Sequence, residues 1–283
     1  MATFTNFATL SYNGGTTDSN TVTGELLETL TATKTAVMND YTAKDDVTYV
    51  LSIVNSGTAP ITGLTITDDL GGYTYETDTI YPLNYTNGSI RYYVNGALQT
   101  APTVISGPPM VISGINVPAN GNALIVYEAY VTNYAPLGSA ASITNTATLS
   151  DGGLATPLTA SETIVMEPRT DLNISKSICP ATITENGQLT YTFVIQNTGS
   201  LAATAGDNVA LTDTFNPKLN SISVTFDGTL WTEGTQYAYD GATGIFTTVP
   251  GQITVPAATY TQNTDGSWTT TPGIATIVIS GTV

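Results

Sequence analysis

The chain has 283 residues, a formal net charge of −16 and no histidine. With only six lysine and arginine residues, it lacks the basic surface that nucleic acids and anionic membranes attract, so we expect neither as a partner. The missing histidines remove the commonest general base, and the sequence contains no metal-ligand cluster, phosphate-binding loop or nucleophile motif. An enzyme is therefore the least favoured class, and no cofactor or metal is expected.

The sequence opens without a charged and then apolar signal region, and no apolar run is long enough to cross a membrane. We expect a protein whose signal was removed before the numbering begins, or one that leaves its cell without a signal. The single cysteine, Cys179, excludes an intramolecular disulfide framework.

Short segments rich in threonine, valine, isoleucine and tyrosine alternate with glycine-marked turns along the chain. This composition is typical of β-strands, and about seven such segments fall in each half of the chain. The sequence therefore predicts an all-β protein. Its expected architecture is two tandem immunoglobulin-like Greek-key β-sandwiches with one extra strand at the N-terminus.

The first predicted element is a strand over residues 3–12, which has a near copy at residues 143–150. Both segments contain the pattern Thr-Asn-x-Ala-Thr-Leu-Ser. Alternation places five of its side chains on one face: Phe4, Asn6, Ala8, Leu10 and Tyr12. Residues 1–24 are accordingly predicted to form this strand and a polar linker.

Two repeats follow, at residues 25–150 and 169–283, and a second linker is predicted over residues 151–168. Their clearest match joins residues 46–57 to residues 188–199, since both segments carry a Thr-Tyr pair and end in Asn-x-Gly. The turns and strands that follow also match along most of each repeat. The internal repeat supports a tandem arrangement of two similar domains.

The second repeat reaches Val283 without a counterpart of the strand at residues 143–150. We therefore expect it to lack its final strand. The N-terminal strand of another copy is predicted to fill that place, which would join subunits head to tail by donor-strand addition. The expected partner is thus a second copy of the same chain.

Each repeat directs a lysine, an aspartate and an asparagine towards its predicted core. In repeat one these are Lys34, Asp68 and Asn145. In repeat two the lysine and aspartate are Lys176 and Asp213, and the matching asparagine is Asn6 of the N-terminal strand. Since an isolated buried charge is costly, the three groups of each set are expected to meet.

Two interpretations of these groups remain open from the residues alone. The simpler one is a buried ion pair whose hydrogen bonds are completed by the asparagine. The other is an autocatalytic Lys–Asn isopeptide bond, in which the aspartate polarises the amide and transfers protons. Under the second interpretation Lys34 bonds to Asn145, Lys176 bonds to Asn6 of a neighbour, and Asp68 and Asp213 promote the reaction.

The motifs at residues 47–57, 65–70 and 143–150 resemble the bacterial surface repeat called domain of unknown function number eleven. The resemblance covers most of the chain and implies an immunoglobulin-like fold related to isopeptide-forming pilins. Two such repeats in a chain of this size also resemble the subunits of clostridial spore appendages. That resemblance implies an extracellular filament on a spore or cell surface, whose partners could include other appendage or spore-coat proteins.

Two alternatives to the filament subunit remain. One is a monomeric cell-surface adhesin or spacer, whose own final strand would follow Val283 in a longer chain. The other is closure of the N-terminal strand onto the second repeat of the same chain. The second is disfavoured, because residues 13–28 reach at most ~55 Å when fully extended.

Overall fold

A computed structural model describes residues 2–26 and 29–283. Residues 1, 27 and 28, which belong to the predicted N-terminal segment and first repeat, lie outside the described residues. The described residues form β-strands and one short 3₁₀ helix at Ala205–Asp207, which confirms the predicted all-β class. They divide into two compact units. Unit 1 contains residues up to 39, 44–132 and 143–164, and unit 2 contains residues 40–43, 133–142 and 165–283.

The N-terminal segment is a hairpin of four short strands: β1 (Ala2–Asn6), β2 (Thr9–Tyr12), β3 (Gly15–Asp18) and β4 (Val22–Leu26). β1 pairs antiparallel with β4, and β2 pairs antiparallel with β3. Asn13 and Gly14 form the two-residue loop between the arms, and Asn-Gly is a strong hairpin signal. The predicted polar linker is therefore wrong in its structure, because β3 and β4 occupy it as the returning arm of the hairpin.

Fourteen strands lie between Leu30 and Met166: β5 (Leu30–Ala36), β6 (Asp40–Tyr41), β7 (Asp46–Asn55), β8 (Ile61–Asp68), β9 (Tyr73–Tyr75), β10 (Asp78–Ile80), β11 (Leu83–Tyr85), β12 (Arg91–Val94), β13 (Ala97–Leu98), β14 (Thr103–Ile105), β15 (Met110–Val117), β16 (Gly121–Val131), β17 (Ser142–Asp151) and β18 (Leu158–Met166). One sheet has the order β13-β12-β16-β7-β5, with β11 also paired to β16, and the other has the order β14-β15-β8-β17-β18-β6. β9 and β10 form a separate hairpin.

The two large sheets formed by residues 30–166 enclose a core, with β15 lying against β7 and β16. Alternate residues of β7 and β16 are buried, as expected for strands with one face towards a core. β18 occupies residues predicted to be a linker. It extends the second sheet beyond β17, so this part of the linker prediction is also wrong.

Ten strands form the rest of the chain: β19 (Leu172–Cys179), β20 (Gln188–Asn197), β21 (Thr212–Thr214), β22 (Asn220–Phe226), β23 (Thr229–Leu230), β24 (Tyr237–Asp240), β25 (Ile245–Thr248), β26 (Thr259–Gln262), β27 (Trp268–Thr271) and β28 (Gly273–Thr282). The larger sheet of unit 2 has the order β19-β20-β28-β22-β23, which repeats the order β5-β7-β16-β12-β13. The smaller sheet, β24-β25-β21, repeats β14-β15-β8. β26 and β27 form a hairpin.

The second sheet is where the two units differ. In unit 1, β8 lies between β15 and β17, and β18 lies beyond β17. In unit 2, β21 pairs with β25 alone among the described strands, so one edge of β21 has no neighbouring strand. Unit 2 thus has no counterpart of the hairpin formed by β17 and β18 within the described part of the chain.

The matched Asn-x-Gly motifs perform the same structural task in both units. The Asn55 side chain donates to the carbonyl oxygens of Ala59 and Pro118 and accepts from the Gly57 amide. Asn197 makes the equivalent set of bonds to Leu201, Pro256 and Gly199. Both asparagines are buried and tie the turn after their strand to the carbonyl oxygen of a proline distant in sequence. The internal repeat predicted from the sequence therefore includes a matching set of hydrogen bonds in each unit.

Replacing Asn55 or Asn197 by alanine is expected to destabilise the corresponding unit by roughly 1–3 kcal/mol, because each change leaves buried backbone groups unpaired. The two losses should be similar, since the two bond sets match. Hydrogen exchange followed by mass spectrometry would measure each unit separately. Asn116→Ala is the control, because Asn116 is exposed and its side chain accepts from the Gly63 amide at the surface. A loss as large for this control would contradict the assignment.

Candidate functional site

The structure brings the three predicted polar residues of unit 1 into one buried site. Lys34 extends from β5, Asp68 ends β8, and Asn145 lies on β17. The Lys34 Nζ atom donates to Asp68 Oδ2 at 2.7 Å, and the two side chains are 0% and 1% exposed. Asn145 is also fully buried. Three strands from two sheets therefore place a lysine, an aspartate and an asparagine together inside the sandwich.

Tyr127, on β16, connects the ion pair to the asparagine. Its hydroxyl donates to Asp68 Oδ2 at 2.6 Å and accepts from Asn145 Nδ2 at 3.2 Å. The other carboxylate oxygen, Asp68 Oδ1, accepts from the Leu70 amide at 3.1 Å. Asp68 is thus held by a cation, a hydroxyl and a backbone amide, which fixes its orientation towards Lys34 and Tyr127.

Two tyrosine rings form an aromatic wall beside Lys34. The rings of Tyr49 and Tyr127 stack with their centroids 5.5 Å apart. The Lys34 Nζ atom lies 5.0 Å from the Tyr49 centroid and 5.8 Å from the Tyr127 centroid, within range of cation–π attraction. The lysine therefore has one charged partner and two aromatic neighbours in place of water.

Burial dominates the electrostatics of this site. Removal from water lowers the pKa of Lys34, although the nearby carboxylate of Asp68 opposes the shift. Burial likewise raises the pKa of Tyr127, so its hydroxyl keeps its proton and acts as a donor. A lowered lysine pKa increases the share of neutral amine, which is the nucleophilic form.

Two buried polar atoms of the site lack a hydrogen-bond partner among the described residues: the Tyr49 hydroxyl and Asn145 Oδ1. Buried polar groups are nearly always paired in native proteins, and an unpaired one costs about 1–3 kcal/mol. The unpaired amide oxygen belongs to the side chain that would be attacked in isopeptide formation.

Unit 2 contains the matching lysine and aspartate in an open setting. Lys176 Nζ donates to Asp213 Oδ2 at 2.5 Å, and the side chains are 38% and 19% exposed. Three aromatic rings lie near the lysine, with centroids 4.5–5.6 Å from Nζ: Tyr191, Phe193 and Phe215. The pair and its aromatic wall are present, but solvent reaches both charged groups.

The two sites also differ at the position of Tyr127. In unit 1, Tyr127 on β16 lies opposite Tyr49 on β7. In unit 2, the equivalent strands place Ile279 opposite Tyr191. The hydroxyl that binds both the aspartate and the asparagine in unit 1 is therefore replaced by an aliphatic side chain in unit 2.

The predicted donor residues all lie in the N-terminal hairpin and are exposed there: Phe4, Asn6, Ala8, Leu10 and Tyr12. Asn6 lies opposite Val22 in the pairing of β1 with β4. The single chain therefore presents Asn6 at the surface.

Sequence analysis missed Tyr127 and Tyr49 as parts of the site. Tyr127 alternates in phase with the buried residues Ile125 and Ala129, and Tyr49 with Val47 and Leu51. A tyrosine on the buried face of a strand carries a hydroxyl that needs a partner, and that signal could have found both.

No group of three or more histidine, cysteine, aspartate or glutamate side chains is placed to hold a metal ion in residues 2–26 and 29–283. Within the same residues, no helix has the length and apolar character needed to span a membrane.

Several solved structures are similar to this chain. The major pilin subunit BcpA of Bacillus cereus aligns with 96% of this chain and 73% of its own, at 13% identity and a TM-score of 0.37. The pilus backbone RrgB of Streptococcus pneumoniae aligns with 86% of this chain and 55% of its own, at 9% identity and a TM-score of 0.34. The collagen-binding domain of a Staphylococcus aureus adhesin aligns with 50% of this chain and 100% of its own, at 15% identity and a TM-score of 0.32.

With identities of 9–15% and TM-scores of 0.32–0.37, these are distant similarities. No protein-family model matches the chain, and no curated protein matches it. The resemblance to the bacterial surface repeat and to spore-appendage subunits therefore stays a prediction.

Replacing Tyr127 by phenylalanine is expected to destabilise unit 1 by roughly 1–3 kcal/mol, because it removes a buried hydroxyl from Asp68 and leaves Asn145 Nδ2 unpaired. Tyr130→Phe is the matched control on the same strand, since its hydroxyl accepts from Asn84 at the exposed surface. That change should alter stability by less than about 0.5 kcal/mol. Hydrogen exchange of β7 and β16 measures both effects, and equal losses would contradict the role given to Tyr127.

Proposed function

We propose that this protein is a structural subunit of an extracellular filament. In this proposal, the N-terminal segment of one copy completes unit 2 of the next, and Lys–Asn isopeptide bonds reinforce the assembly. The observation that carries the proposal is a mismatch within one chain. Unit 2 leaves open the place that β17 and β18 fill in unit 1, while β1 and β2 of the N-terminal hairpin repeat the sequence of β17.

We infer a docking groove on the open side of unit 2. Alternate residues of β19 and of residues 209–213 are exposed or half-buried there: Ile174, Lys176, Ile178, Val209, Leu211 and Asp213. Ile174 and Ile178 are 55% and 46% exposed, an unusual state for the inward face of a sandwich strand. The free edge of β21 also offers unpaired strand backbone to an incoming strand.

The N-terminal segment complements this groove. Phe4 and Leu10 are 58% and 64% exposed in the hairpin. Burying one such side chain contributes about 1.5–3 kcal/mol. In unit 1, Ala147 lies opposite Asp68, so the sequence match would place Ala8 opposite Asp213 in the docked pair. In that register, the apolar side chains of the N-terminal segment would meet the exposed isoleucines of β19, and its backbone would meet the free edge of β21.

The same register would deliver Asn6 to the lysine of the next copy. In unit 1, Asn145 precedes Ala147 by two residues, on the same face of β17. Asn6 precedes Ala8 by the same interval. Docking would also shield Lys176 and Asp213 from water, as Lys34 and Asp68 are shielded in unit 1. The bond between copies would then have the three groups that meet in unit 1.

The proposed reaction is a transamidation. The neutral lysine Nζ attacks the asparagine Cγ, a new C–N bond forms, and the bond from Cγ to Nδ2 breaks. The aspartate accepts a proton from the attacking amine and donates it to the leaving nitrogen, which departs as ammonia. Lys34, Asn145 and Asp68 perform these steps within unit 1, and Lys176, Asp213 and Asn6 perform them between copies.

The extracellular setting, on a spore or cell surface, is the part of the proposal that rests on the sequence resemblance. The strongly acidic chain and the open groove are compatible with that setting, since high net charge keeps unassembled copies soluble.

The intrachain bond is tested by the intact mass of the purified, denatured protein. We expect a mass lower than the sequence predicts by one ammonia for each bond, and a branched peptide joining Lys34 to Asn145. Asp68→Ala should slow formation of this bond by roughly a hundredfold or more, since it removes the proton-transfer group. Asp213→Ala is the matched control and should leave this bond intact. A chain of full mass would contradict the isopeptide bond and leave the ion pair.

The bond between copies is tested by boiling the assembled protein in detergent. We expect a ladder of multimers that Asn6→Ala and Lys176→Ala each abolish, because each removes one atom of the bond between copies. Asn145→Ala is the matched control, since it removes only the bond within unit 1, and its ladder should persist.

Strand addition is tested apart from the chemistry by deleting residues 2–12. Filaments should disappear from electron micrographs, because the groove of unit 2 loses its occupant. Filaments that persist unchanged would refute donor-strand addition. A full-length chain that stays monomeric at high concentration would favour the adhesin or spacer alternative.

A further inference from the structure

The N-terminal segment is a hairpin with two arms of two short strands each, and the part of unit 1 that it resembles is also a hairpin. Its first arm is β1 and β2, and its second arm is β3 and β4. In unit 1, β17 and β18 are neighbours in the same sheet. The sequence match concerned the first arms alone, at residues 3–12 and 143–150.

The second arms correspond through their cross-strand partners. Thr144 Oγ1 and Thr163 Oγ1 lie 2.8 Å apart across β17 and β18. The sequence match aligns Thr5 with Thr144, and Thr5 lies opposite Thr23 in the N-terminal hairpin. A threonine pair therefore spans both hairpins at the same position, which aligns Thr23 of β4 with Thr163 of β18.

At one level of both hairpins, a facing pair of side chains lies on the inward face, and the sizes of its two members differ between the hairpins. Continuing the register of the threonine pair in unit 1 places Ile143 opposite Ile164, and both are buried. At the same level of the N-terminal hairpin, Phe4 lies opposite Gly24. The Phe4 ring covers Gly24 so closely that a Cβ atom there would lie 2.4 Å from Cζ of the ring. One large and one absent side chain thus replace two of medium size.

We propose that the whole hairpin is donated: β1 and β2 pair with the free edge of β21 in a second copy of this chain, and β3 and β4 take the outer place that β18 holds in unit 1. This inference rests on the proposed function and specifies its partner element. In the hairpin, the outer edge of the first arm is already paired with the second arm, as the outer edge of β17 is paired with β18 in unit 1. A hairpin that is already paired also loses less conformational entropy on docking than an unpaired strand.

The two arms can be tested separately with one cross-strand pair in the full-length chain. Thr5→Pro disrupts the first arm and Thr23→Pro disrupts the second, because proline interrupts a strand and its hydrogen bonds. If the hairpin docks as a unit, each change should lower the rate of filament formation at least tenfold. Light scattering measures the rate, and hydrogen exchange of β7 and β20 shows that both units remain folded.

The outcomes separate the two proposals. Normal assembly of Thr23→Pro together with impaired assembly of Thr5→Pro would overturn hairpin donation and leave strand addition standing. Normal assembly of both variants would overturn strand addition and hairpin donation together.

Added peptides provide a second measurement on the unmodified chain. A peptide of residues 2–26 should cap growing ends, and a peptide of residues 2–13 should inhibit assembly at least tenfold less strongly. Equal inhibition by the two peptides would also overturn hairpin donation. A peptide of residues 2–26 with Asn6→Ala is the control for capping without a covalent bond, and it should still inhibit.

Discussion

A lysine–aspartate pair inside a β-sandwich needs a neighbouring strand that shields it from water. This chain contains one such pair that is shielded and one that is partly exposed. Lys34 and Asp68 are shielded from water in unit 1, where the Tyr127 hydroxyl donates to Asp68 and accepts from Asn145. Lys176 and Asp213 make the same contact in partial exposure to solvent. Burying two charges is costly unless they are paired and hydrogen-bonded, so the covering strand and its polar side chain stabilise the site together.

The difference in solvent exposure between the two pairs has chemical consequences. In unit 1, burial lowers the pKa of Lys34, which increases the share of neutral amine, and raises the pKa of Tyr127, so the tyrosine hydroxyl remains a hydrogen-bond donor to Asp68. In unit 2, the amide is missing from the described site and Ile279 replaces the tyrosine. Under the proposed assembly, the desolvation that favours the reaction and the asparagine that is consumed would arrive together with the donor hairpin. Covalent bonding would then follow docking.

Parts of this arrangement could be predicted from the sequence because they depend on local alternation. The inward phase of Lys34, Asp68 and Asn145 follows from a period of two residues along each strand. The Asn-x-Gly repeat marks equal turns in both units. Tyr127 escaped prediction because an inward tyrosine reads as ordinary core, and its hydrogen bonds depend on strands distant in sequence. The returning arm of the N-terminal hairpin was missed although Asn13-Gly14 signals a turn.

By itself, the sequence determined the all-β class, the internal repeat and the inward direction of the charged side chains, because each depends on the order of residues along one strand. The tertiary structure decided which strands become neighbours. It set β18 beside β17, left one edge of β21 without a neighbour among the described strands, and joined Tyr127 to Asp68 and Asn145. These are contacts between distant segments, and they form only when both sheets pack around a common core.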